Sequence, residues 1–95
     1  MRFRQPFTPQ QRREAAAKYR SYRRNYKLLR TAYEPRSEKE FALLREYRRQ
    51  IKQFGTEAAK TNREIDPDLL NDLESRCNAL VAEYFAERMK GKGSK

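Results

Sequence analysis

Three separate places in this chain carry the chemistry of a helix start, and no stretch alternates apolar and polar residues with the period of a strand. Thr8-Pro9-Gln10-Gln11 supplies a hydroxyl N-cap, a proline at the first helical position and a glutamine placed to close a capping box. Ala15, Tyr19, Tyr22, Tyr26, Leu29 and Tyr33 follow in steps of three and four, which keeps them on one helical face. Pro35 ends that run, because its ring disfavours the helical conformation at Glu34 and it has no N–H to donate. Ser37 and Glu40 form a second capping box, with the Glu40 carboxylate expected to reach back to the Ser37 N–H. Phe41, Leu44, Tyr47, Ile51 and Phe54 make the next face; Gly55 suits a C-cap, while Ala58 and Ala59 would let the helix run on to about Lys60. Asp66-Pro67-Asp68 opens a third helix whose face is Leu70, Leu73, Cys77, Leu80 and Tyr84, and Gly91 and Gly93 are expected to close it. The expected fold is therefore all-α: a three-helix antiparallel bundle with helices at about 9–34, 38–54 and 67–90. A basic N-terminal arm (1–8) and a flexible C-terminal tail (91–95) flank it.

The inventory of reactive side chains is short. There is no histidine and one cysteine, Cys77, so an internal disulfide, a zinc site of the usual Cys/His type and imidazole catalysis are all excluded. Three glycines, at 55, 91 and 93, leave no phosphate-cradling loop. Asp66 and Asp68 are accounted for by capping, and Cys77 falls on the apolar stripe, where a buried inert thiol is expected. No membrane span is expected either, since the longest apolar run is Ala79-Leu80-Val81-Ala82. A non-enzymatic protein with no cofactor of its own is the expectation. With 95 residues its core is thin, which favours completion against a partner.

Charge indicates what kind of partner. Residues 1–54 hold 16 Lys/Arg against 5 acids, whereas residues 55–95 hold 7 against 8, so the net charge of +10 resides in the first two helices. Such density costs stability by self-repulsion unless something anionic is bound. Around Tyr22 and Tyr26 the candidate contacts are Arg23, Lys27 and Arg30; on the second helix they are Arg45, Arg48 and Arg49. The anion is either an acidic protein or, as the alternative, RNA, with ribosomal phosphates meeting the same basic face. The tyrosines keep the phase of the core stripe, which favours a protein partner over base stacking. Leu73→Asp and Leu80→Asp are each expected to unfold the chain or detach it from its partner, and Arg12→Gln, off the stripe, to be near neutral for folding. The basic, acid-poor N-terminal segment suits either mitochondrial import or an arm lying in a groove of a larger assembly.

Tyr22-Arg23, Tyr26-Lys27-Leu28-Leu29-Arg30, Arg48 or Arg49 with Phe54, and the stretch from Asn62 to Asp66-Pro67 resemble the LYR-motif family of small mitochondrial helical proteins. Ser21 stands where the family's leucine precedes Tyr-Arg. The resemblance spans roughly residues 19–85. It implies an accessory subunit or assembly factor of a respiratory complex, the iron–sulfur machinery or the mitochondrial ribosome. Its location would be the matrix or the matrix side of the inner membrane. It also implies an acidic acyl carrier protein as partner, bound by the basic helices. The acyl chain on that partner's phosphopantetheine would enter between helices, among Leu29, Phe54, Leu73 and Leu80.

Overall fold

Helix capping sets where each element begins. The computed structural model describes residues 6–93 and contains three helices: α1 (Pro9–Thr31), α2 (Glu38–Ala58) and α3 (Pro67–Gly93). Thr8 caps α1 with a complete capping box: its hydroxyl accepts the Gln11 N–H at 3.1 Å, and its own N–H reaches the Gln11 side chain at 2.9 Å. Asp66 caps α3, its carboxylate accepting the Asp68 N–H at 3.0 Å. The box at α2 is only half formed. Ser37 accepts the Glu40 N–H at 3.1 Å, but the Glu40 carboxylate takes the Arg36 N–H at 2.8 Å instead of that of Ser37.

Short connections turn the chain back on itself twice. α1 and α3 therefore run the same way and α2 runs against both, as the ion pairs Lys18–Glu74 and Lys39–Glu87 show. α2 is the central element, packed against both neighbours, while α1 and α3 approach each other less. The bundle is long and flat, 56 × 26 × 17 Å, with a radius of gyration of 15.7 Å where a globular domain of this length has about 12 Å.

The core is one seam of residues at heptad spacing. Ala15, Tyr22 and Leu29 come from α1; Leu44, Tyr47, Ile51 and Phe54 from α2; Leu70, Leu73, Cys77 and Tyr84 from α3; and Ile65 from the preceding loop. Tyr22 and Phe54 meet edge to face at 5.4 Å, an arrangement worth about 1 kcal/mol beyond burial. Truncating Phe54, 1% exposed, to alanine would cost about 3–5 kcal/mol.

Several boundaries differ from expectation. α1 ends at Thr31, and Tyr33 lies in the following turn, 41% exposed, because Pro35 frays the helix a turn ahead of itself. α2 passes through Gly55 to Ala58. Among the described residues no glycine has positive φ, so Gly55 is not a C-cap; it is the point where the Tyr19 ring lies against α2, and a Cβ there would overlap that ring. For the same reason Gly91 does not stop α3, which continues through Gly93. Residues 94–95 of the expected tail and residues 1–5 of the expected arm lie outside the described residues. Phe7 is not part of a free arm: its N–H donates to the Asn62 carbonyl at 3.1 Å and its ring packs on the core.

Two arginines tie the helices together at opposite ends. Arg12 Nη1 donates to the Lys60 carbonyl at 2.7 Å and to Asn62 Oδ1 at 2.8 Å, pinning α1 to the α2–α3 loop, so Arg12 is a structural contact and not a neutral surface position. Arg88 Nη1 reaches the carbonyls of Tyr33 at 3.2 Å and Glu34 at 2.8 Å and the Glu40 carboxylate at 3.3 Å. The Tyr84 hydroxyl donates to the same Tyr33 carbonyl. Arg88 thus clasps the α1–α2 loop to α3.

Candidate functional site: a basic groove between α1 and α2

The seam of α1 buries only a narrow stripe, so the remainder of that helix faces solvent, and cations are the largest group of residues there. Where this face borders α2 an open groove of about 830 Å³ runs along the bundle. From α1 it is lined by Tyr19, Arg20, Arg23, Arg24, Tyr26, Lys27 and Arg30, and from α2 by Arg48, Ile51 and Lys52. Helical spacing explains the set. Arg20, Arg23, Arg24, Lys27 and Arg30 repeat at intervals of three and four, and Arg48 with Lys52 does the same on the facing helix.

Seven of the ten lining residues are cations and none is an acid. The six ion pairs among the described residues, Lys18–Glu74, Lys39–Glu87, Arg49–Glu46, Lys60–Glu57, Arg76–Asp72 and Arg88–Glu40, take up carboxylates elsewhere and none involves a groove cation. Like charges at i,i+3 and i,i+4 on one helix repel by a few tenths of a kcal/mol per pair, so the groove is held together against its own electrostatics. An anion that fills it relieves that repulsion. The floor is apolar: Ile51 is buried, and Tyr19 and Tyr26 are half-buried against the core. The Arg23 guanidinium lies over the Tyr19 ring, 5.7 Å from its centroid, and covers that aromatic face.

Of the candidate contacts, the structure brings Arg23, Tyr26, Lys27, Arg30 and Arg48 together in this groove. Tyr22 is elsewhere. It is 7% exposed, buried against Phe54, and its phenol is driven upward from the usual tyrosine value, first by burial and then by Glu74, Cys77 and Tyr47; the structure places it in the core and not on the contact face. Arg45 is exposed on α2 but lies outside the groove. Arg49 turns to the other side of α2, where Glu46 holds it with bonds of 3.0 and 2.7 Å. That pairing keeps the Glu46 carboxyl below the usual carboxylate range. Arg20, Arg24 and Lys52 complete the groove; their place follows once α2 is known to lie beside Tyr19 and Tyr26, which the periodicity of α1 alone does not say.

The residues implied for an acyl chain are part of the core seam: Leu29, Phe54 and Leu73 are buried and Leu80 is partly buried. Cys77 is fully buried and its thiol is pushed up to about 11, chiefly by burial and then by Glu74, so it stays protonated at neutral pH. Among the described residues no group of three or more Cys, Asp or Glu side chains is placed to hold a metal ion, and no helix is long and apolar enough to cross a membrane. Compared with known proteins, the chain matches no family model, no curated protein and no solved structure.

Proposed function

We propose that this chain is a non-enzymatic helical adaptor, an accessory subunit or assembly factor that holds an acidic protein partner against the α1–α2 groove. The observation that carries this reading is a groove lined by seven cations without one carboxylate, over a floor of Tyr19, Tyr26 and Ile51. The LYR-like resemblance makes the partner an acyl carrier protein and the setting a mitochondrial assembly. Support for this finer reading is that Arg23, Lys27, Arg30 and Arg48 share one groove and that Asp66-Pro67 opens α3. The acyl chain would then reach the seam that holds Leu29, Phe54, Leu73 and Leu80, which requires the helices to part.

The test is a pull-down with acylated and non-acylated carrier protein beside a nuclease-treated control. Retention that depends on the acyl chain and survives nuclease supports the adaptor. Loss of every partner on nuclease treatment, with no acyl dependence, transfers the same groove to RNA phosphates, whose binding would fall with salt at a log–log slope of about −0.7 to −0.9 per phosphate neutralised.

A further inference from the structure

Beyond Tyr19, whose ring lies against Gly55, a second groove of about 390 Å³ follows the same α1–α2 junction, and Tyr19 borders both. Its character is different. Here the floor is made of small residues, Ala16 from α1 and Gly55, Ala58 and Ala59 from α2. From Arg12 to Arg30 the combined trough follows about 27 Å of α1, at 1.5 Å per residue. Most of its cations stand on the α1 wall; α2 contributes only Arg48 and Lys52. Two grooves in line between two antiparallel helices, narrowed where the Tyr19 ring lies against Gly55 and basic along one wall, have the charge pattern that accepts another helix.

The geometry points to one occupant: an amphipathic helix of about 18 residues, laid along the α1–α2 junction, with an apolar stripe on the small-residue floor and acids along the flank that faces α1. This inference rests on the adaptor reading and makes it specific, because it fixes the partner's binding element by its secondary structure and charge pattern. One feature favours it over a nucleic acid: a phosphate backbone has no use for the Ala16–Gly55–Ala59 floor, and of the two groove tyrosines the Tyr19 face is already covered by Arg23. Charge complementarity favours it over a second copy of this chain, whose own surface is +10 overall.

Fluorescence anisotropy with three labelled probes tests it on the full chain. The probes are an 18-residue helical peptide with leucine on one face and glutamate on one flank, a polyglutamate of equal charge, and a single-stranded uridine oligomer. The helical peptide should bind at least about tenfold tighter than polyglutamate. Ala16→Gln, at an exposed helical position, should remove that margin by placing a polar amide under the apolar face while leaving polyglutamate within about twofold. Far-UV circular dichroism of the variant should match that of the parent chain. Polyglutamate or the uridine oligomer binding as tightly as the peptide, or a margin that survives Ala16→Gln, would overturn the helix as occupant and leave the adaptor reading standing. Arg23→Gln with Lys27→Gln should weaken every anionic probe; if it weakens none, the adaptor reading itself fails.

Discussion

Replacing Arg88 by alanine removes one side chain from three places at once: the carbonyls of Tyr33 and Glu34 and the carboxylate of Glu40. The pair is sheltered, with side-chain exposures of 17% for Arg88 and 8% for Glu40. Removing one partner of a buried ion pair costs about 3–5 kcal/mol, because the other charge is left without compensation. Glu40 keeps the Arg36 N–H at 2.8 Å, and Tyr84 still serves the Tyr33 carbonyl, so the lower part of that range applies and about 3 kcal/mol is expected. For a chain of this length that lowers the melting temperature by about 12–24 °C, or shifts the urea midpoint by about 1–3 M. Equilibrium urea denaturation followed by far-UV circular dichroism measures it. The double change Arg88→Met with Glu40→Gln should cost less than Arg88→Ala, since it leaves no buried charge alone. A loss under about 1 kcal/mol, the worth of an ordinary surface pair, would refute the clasp, as would a double variant no more stable than the sum of its parts.

Other consequences follow from particular contacts. Leu73→Asp, at a site 1% exposed, should unfold the chain at a cost of several kcal/mol, whereas Leu80→Asp, at a half-buried site, should leave a weakened but folded bundle, as thermal melts will show. Gly55→Ala should destabilise the parent chain by displacing the Tyr19 ring, yet in a Tyr19→Ala background it should stabilise by up to about 1 kcal/mol through helix propensity; the change of sign is the test. Burial of Glu57 opposes ionisation, but the Lys60 ion pair and the Asp66 N–H outweigh it, so its folded pKa lies below the unfolded value. Its contribution to stability is therefore present above the ordinary carboxylate pKa and lost as pH falls through the folded one, and Glu57→Gln should flatten the acid limb of the stability curve.

Much of the fold is written in local signals. Thr8-Pro9 with Gln11, Ser37 and Asp66-Pro67 each act on residues within one turn of themselves, so their caps can be placed without tertiary knowledge. Most of the seam is equally legible, because steps of three and four admit only one face, although Phe41, expected on the α2 face, is 51% exposed near the start of that helix. What the chain does not display locally is which neighbour each residue meets. Gly55 looks like a helix end until Tyr19 is brought beside it. Arg12 and Arg88 look like surface charges until the loops they clasp, roughly fifty residues away in sequence, are in place. Glu40 is spaced to bond its own cap, but Arg36 and Arg88 offer it better partners. At the site, the α1 cations Arg23, Lys27 and Arg30 are evident from their density, whereas the separation of Arg48 from Arg45 and Arg49 depends on how α2 is rotated against α1.

The proposed adaptor role requires the α1–α2 groove to be the face that engages the partner. Reversing Arg23, Lys27 and Arg30 to glutamate in the full chain, with Arg63→Glu and Lys90→Glu outside the groove as a control, tests it by native co-purification. The groove variant should keep its helical circular dichroism and lose its anionic partner, while the control variant retains it. Recovery of the same partners at parental yield with the groove reversed would contradict it.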